Sequence, residues 1–144
     1  MKTRSKLASL ALCGAVAAPV IGLSASSAQA ASYPTCDNVK YVWLTDSVYT
    51  LQPFYTATGS RNCVMGYGAQ SNGVRHLQKA IDYCYENIGV DGIYGNQTKN
   101  AVYRVQEDES IGRDGVYGPE TRKAMWWPRY QRGDVFLGCV KPHK

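Results

Sequence analysis

A phrase of eight residues occurs twice in this chain and limits what it can fold into. Asp91-Gly92-Ile93-Tyr94-Gly95-Asn96-Gln97-Thr98 returns 23 residues later as Asp114-Gly115-Val116-Tyr117-Gly118-Pro119-Glu120-Thr121. Aligned over 91–102 and 114–125, six of twelve positions are identical, and Ile/Val, Gln/Glu and Lys/Arg exchanges keep their character. An internal repeat marks one supersecondary unit used twice. Asp-Gly signals a tight turn, because both residues tolerate a left-handed backbone. Helix-type sequence resumes at once, from Asn96 in the first copy and from Pro119, well suited to a first helical position, in the second. The spacing predicts a loop, an apolar plug and a helix, twice over. The first of these helices runs to about Asp108 and buries Ala101, Val102 and Val105. The second is shorter, buries Ala124 and Met125, and is stopped by Pro128. Ile93 and Val116 are expected to bury beneath the helices.

A third helix precedes the repeat. Val74, Leu77, Ile81, Cys84 and Ile88 fall on one stripe, which predicts a helix over 74–88 capped by Ser71 or Asn72. Earlier still, Tyr41-Val42-Trp43-Leu44, a turn at Thr45-Asp46-Ser47, and Val48 to Leu51 before Pro53 predict one or two short strands. The expected fold class is therefore mainly α: a small three-helix domain with a short β-prone N-terminal extension and disulfides. The expected organisation is a signal peptide at 1–30, an extension at 31–73, the three-helix domain at 74–127 and a disulfide-tethered tail at 128–144.

The signal peptide rests on a three-part pattern. Lys2, Arg4 and Lys6 precede an apolar run from Leu7 to Leu23, and Ala28-Gln29-Ala30 is a small-residue cleavage site. The run is short for a membrane span, contains Pro19 and has no stop-transfer charges after it, so no stable membrane insertion is expected once the leader is removed. Cys13 leaves with it. Of 16 Lys and Arg against 11 Asp and Glu, the leader takes three bases and no acid. The remaining near-balance gives no ground for a nucleic-acid partner. Six bases lie beyond Pro119 (Arg122, Lys123, Arg129, Arg132, Lys141, Lys144), a pattern that suits either an anionic polymer or a solvated face.

Cys36, Cys63, Cys84 and Cys139 remain, an even set in an exported chain. With no close Cys pair, zinc ligation is not indicated and no metal is expected. Four cysteines allow three pairings. Cys36–Cys63 and Cys84–Cys139 are favoured, the first closing the N-terminal segment on itself and the second tying the tail to the first helix. Each would add roughly 3 kcal/mol by restricting the unfolded chain.

The pattern Val74-Arg75-His76-Leu77-Gln78-Lys79-Ala80-Ile81, followed by Asp91 to Gln106 and then Asp114 to Thr121, resembles the three-helix peptidoglycan-binding domain family of exported bacterial proteins. The likeness covers about 74–125, and Val105 stands where the family has an aromatic. It implies a compact module that holds peptidoglycan, by its glycan or its stem peptide, without a cofactor.

The residues themselves offer little catalysis. His76 and His143 are too few and too far apart for a zinc peptidase, no G-x-S-x-G elbow occurs, and Asp91 and Asp114 are explained as turn residues. No catalytic residue is assigned and the protein is read as no enzyme. Tyr94 and Tyr117 on the loops, with Arg104, Gln106 and Trp126, are candidate ligand contacts: rings for sugar or alkyl surface, Arg for stem-peptide carboxylates. Tyr94 and Tyr117 read equally well as core aromatics. The expected function is a secreted, monomeric, non-catalytic module, associated with the cell wall. The alternative is a secreted inhibitor or accessory interaction protein that reuses the fold.

Overall fold

The computed structural model describes residues 32–141, so the leader pattern at 1–30, His143 and Lys144 lie outside the described residues. Three helices form: α1 (Asn72–Cys84), α2 (Asn96–Asp108) and α3 (Pro119–Ala124). In α1 the Ser71 hydroxyl accepts from the Val74 amide at 3.1 Å, satisfying one free donor of the first turn. The helix stops at Cys84, and Ile88 reaches the core from the segment beyond it. Pro119 opens α3 behind Gly118.

The fold is not mainly α, and the expected class is corrected here. It is mixed α/β: the three helices accompany a four-stranded antiparallel sheet in the order β1-β2-β3-β4. Strand β1 (Asn38–Trp43) and β2 (Val48–Phe54) come from the stretch read as an extension. Strand β3 (Trp127–Gln131) and β4 (Val135–Val140) come from the stretch read as a tail. Val48 to Thr50 of β2 pair with Gln131 to Arg129 of β3, so both flanks of the helical segment meet in one sheet.

Prolines hid this. Pro128 does end the helical region, but it also sits inside β3, where the register shifts between Pro128 and Tyr130 and the missing amide is accommodated. Pro53 lies in β2 beyond the three residues that pair with β3, so its absent donor breaks no ladder on that side. The β3–β4 hairpin turns through Gly133 and Asp134, both at positive φ (88° and 61°).

One row of side chains crosses the whole sheet. Trp43, Tyr49, Tyr130 and Phe136 are opposed in register from β1 to β4, with ring centroids 5.2, 5.8 and 6.1 Å apart in turn. Tyr83 of α1 stacks on Phe136 at 4.9 Å. Such cross-strand aromatic pairs strengthen a sheet and fix its register.

Two disulfides complete the frame. Cys36–Cys63 closes a separation of 27 residues, and Cys84–Cys139 fastens the end of α1 to β4 across 55. The buried core combines Val74, Leu77, Ile81, Val102 and Val105 of the helices with Met65, Tyr94, Tyr117, Met125 and Trp127.

Candidate functional site

The two repeated loops are built alike, and each is held by a glutamine from the helix before it. Gln78 of α1 donates from Nε2 to Asp91 Oδ1 (2.8 Å), the Ile93 carbonyl (3.0 Å) and Thr98 Oγ1 (2.9 Å). Its Oε1 accepts from the Gly92 amide at 2.7 Å. Gln106 of α2 repeats this on the second loop, donating to Asp114 Oδ1 (2.8 Å), the Val116 carbonyl (3.0 Å) and Thr121 Oγ1 (3.0 Å). Its Oε1 accepts from the Asp114 and Gly115 amides at 3.0 and 2.9 Å. Both amides are almost fully buried, where a half-satisfied side chain would be costly, and both are saturated.

The acids of the loops serve the same geometry. Asp91 Oδ1 accepts from the Ile93 amide and Asp114 Oδ1 from the Val116 amide, each at 2.8 Å, the side-chain turn that Asp favours. The Ile93 amide, with Gln78 after it, holds the Asp91 carboxyl below the usual carboxylate range. Gly92 and Gly115 follow at φ 82° and 68°, a backbone that other residues rarely adopt. At Gly115 an added Cβ would meet Lys99 Cγ at 2.9 Å.

Tyr94 and Tyr117 are both fully buried. The Tyr94 hydroxyl donates to the Gly115 carbonyl at 3.0 Å, so the first loop is bonded to the second. Burial pushes the pKa of both hydroxyls well up. Among the described residues the Tyr117 hydroxyl has no partner, and its ring packs edge-on against Trp127 with centroids 6.3 Å apart.

A segment just before α1 straps the two loops together. Met65 exchanges amide and carbonyl with Tyr117, both bonds at 2.9 Å. Gly68 donates to the Tyr94 carbonyl at 2.9 Å, and the Tyr94 amide donates to the Ala69 carbonyl at 2.8 Å. Ile93 and Val116 are therefore not buried beneath helices, contrary to expectation. The buried tyrosine beside each turns the preceding side chain outward, and they are 45% and 37% exposed. Tyr67 of the strap is 69% exposed, and an added Cβ on its neighbour Gly66 would lie 3.8 Å from Val116. The twin loops and strap thus present two equivalent aliphatic residues and a tyrosine to solvent.

The other sequence candidates lie on different contacts. Gln106 faces inward as described. Arg104 is exposed and pairs with Glu86 at 2.7 Å. Trp126 is 40% exposed; its amide donates to the Tyr85 hydroxyl at 2.7 Å, and Lys141 lies over its ring. Lys141 also pairs with Glu109, which accepts from Tyr85 at 2.8 Å. His76 Nδ1 lies 3.0 Å from the Asn72 carbonyl, and burial lowers its pKa. Among the described residues no group of three or more His, Cys, Asp or Glu is placed to hold a metal, and no helix is long and apolar enough to cross a membrane.

The glutamines were the residues sequence reasoning misread or passed over. Their signal was present: Leu77-Gln78 and Val105-Gln106 each put a Gln next to a stripe aliphatic in the helix preceding a loop.

Residues 70–125 match the family described as putative peptidoglycan binding domain. No curated protein matches the chain at a significant level. Among solved structures, the chain is similar to the SleB N-terminal domain at 32% identity, covering 42% of this chain and 85% of that one with a TM-score of 0.40. It is also similar to a peptidoglycan-binding protein from Clostridioides difficile in complex with glutamine hydroxamate, at 25% identity, covering 58% of this chain and 52% of that one with a TM-score of 0.42.

Proposed function

We propose that this chain, which belongs through residues 70–125 to the peptidoglycan-binding domain family, works as a non-catalytic module whose twin-loop face lies against cell-wall peptidoglycan. The observation that carries the choice of face is the exposure of Ile93 and Val116 at equivalent positions of the two loops, beside Tyr67. Aliphatic and aromatic surface at solvent, backed by loops that cannot deform cheaply, suits the ring faces of a glycan or the alkyl parts of a stem peptide. Tyr94, Tyr117 and Gln106 act behind this face, shaping the loops. Arg104 and Trp126 are exposed and supply further contacts. Two disulfides and the leader pattern favour a site of action outside the cytoplasm, at the cell wall. The module acts as a monomer, without cofactor or nucleic acid.

Co-sedimentation with purified insoluble peptidoglycan tests the reading. The protein is expected in the pellet, and Ile93→Ser with Val116→Ser and Tyr67→Ala is expected to release it while the melting temperature stays put. Protein that stays in the supernatant across salt and pH overturns the proposal and leaves the inhibitor or accessory role. Soluble fragments released from the wall material would instead identify a hydrolase.

A further inference from the structure

A recess lies on the sheet, lined by residues outside the repeated loops. It has a volume of about 230 Å³ and is lined by Val42, Leu44, Trp127 and Val140 with Thr50, Gln52 and Arg61, and by Trp43. Gln52, only 2% exposed, accepts from Arg61 Nη1 through Oε1 at 2.7 Å and donates to Thr50 Oγ1 at 3.3 Å. The guanidinium is thereby aimed by a buried amide that is itself anchored. Among the described residues Arg61 forms no ion pair. A second cation stands close by. Arg122 is 7% exposed; among the described residues it has no acidic partner and its Nε no hydrogen bond, while Nη2 donates to Asn62 Oδ1 at 3.4 Å. Burial lowers its pKa; Tyr117 opposes this, and the charge of Arg61 adds to it more weakly. An unpaired guanidinium lining a partly apolar recess, with a second cation, Arg122, behind it rather than in its lining, favours an anion that arrives with an apolar body.

We propose that this recess binds the free carboxylate end of a short peptide with small apolar side chains, the carboxylate on Arg61 and the side chains against Val42, Leu44, Trp127 and Val140. A planar carboxylate matches the guanidinium fork, which a neutral amide end does not. The volume admits one or two small residues and excludes a folded partner. The source of such a peptide in the wall rests on the reading above; the binding chemistry does not.

The test titrates the wild-type protein with acetyl-alanyl-alanine, in its L- and D-forms, and with the same peptides as C-terminal amides. Tryptophan fluorescence reports from within the recess, through Trp127 and Trp43. The acid is expected to bind saturably and the amide at least about tenfold more weakly. Arg61→Gln is expected to remove the difference, and Arg61→Lys to restore part of it. Equal binding of acid and amide, or no response to either up to about 10 mM, overturns the proposal even if no variant folds. Sedimentation with peptidoglycan is run beside it: wall binding without peptide response defeats this site alone, and peptide response without wall binding defeats only the twin-loop reading.

Discussion

Replacing Gln106 with leucine isolates the clamp on the second loop. Leucine keeps much of the side chain's bulk but takes away two accepted hydrogen bonds and the two Nε2 hydrogens, which are shared among three acceptors. Asp114 and Val116 are exposed and recover water. The Gly115 amide is buried and loses its partner, at a cost of about 1–3 kcal/mol, while the buried Thr121 hydroxyl loses the bond it accepts and keeps only its 3.5 Å donation to the Val116 carbonyl. Part of that is offset by burying an apolar side chain. The expected loss is about 3 kcal/mol, which for a domain of this size lowers Tm by roughly 10–15 °C. Urea unfolding followed by tryptophan fluorescence measures it directly. Gln106→Glu gives a sharper reading, because an oxygen replaces the nitrogen 2.8 Å from Asp114 Oδ1. The introduced carboxyl is easier to protonate when folded than when unfolded. Its neutral form favours folding below the unfolded pKa of about 4.3, and that advantage is lost as pH rises through the folded value. The penalty should therefore shrink on acidification, whereas that of the leucine variant should not follow it. A leucine penalty below about 1 kcal/mol, or a glutamate penalty independent of pH, would refute the clamp.

Other outcomes follow from the same structure. Tyr94→Phe breaks the bond to the Gly115 carbonyl and is expected to cost about 1–2 kcal/mol, while Tyr117→Phe removes a partnerless hydroxyl and is expected to be neutral or stabilising; equal effects in a denaturation series would contradict this. Gly115→Ala meets both a positive φ and Lys99 at 2.9 Å, so it should destabilise by more than about 1 kcal/mol and by more than Gly92→Ala, whose nearest contact is 3.5 Å. Tyr49 donates to Asp134, and this contact, followed by burial, raises its pKa to about 12, whereas burial leads at Tyr130, also raised to about 12. Both exceed the unfolded value near 10, so their contribution is full below about pH 10 and lost as pH rises toward 12; ultraviolet titration should show Tyr49 and Tyr130 ionising late, ahead of the more deeply shifted Tyr85, Tyr94 and Tyr117, and Asp134→Asn should bring Tyr49 down.

The loops and helices were legible because turn chemistry and 3.6-residue periodicity are local. Asp91, Gly92 and their counterparts carry their geometry in their own side chains and backbone. Strands β3 and β4 were not legible in that way. Pro128 says where a helix ends, and nothing local says that Trp127 will lie opposite Val140. The Gly133-Asp134 turn was the one local sign of the hairpin. Burial of Tyr94, Tyr117 and Gln106 is likewise a tertiary fact: a buried polar side chain looks like a surface contact until its partners are known. Ile93 and Val116 show the converse, since an apolar residue beside a buried tyrosine has no inward direction left to take.

The hydroxyls of Tyr94 and Tyr117 stand at equivalent places, yet among the described residues only the first has an acceptor. The first loop hands a hydrogen bond to the loop that follows it, and the second has no successor to receive one. In a stacked array that is how a last unit is recognised, and arrays are soluble only when their ends are closed. Here closure falls to Trp127, the first residue of β3, which lies edge-on to Tyr117 and bonds through its indole to the Arg122 carbonyl at 3.0 Å. The returning strand is thus the array's end cap, and a chain cut before Trp127 would keep both loops and leave the second one open.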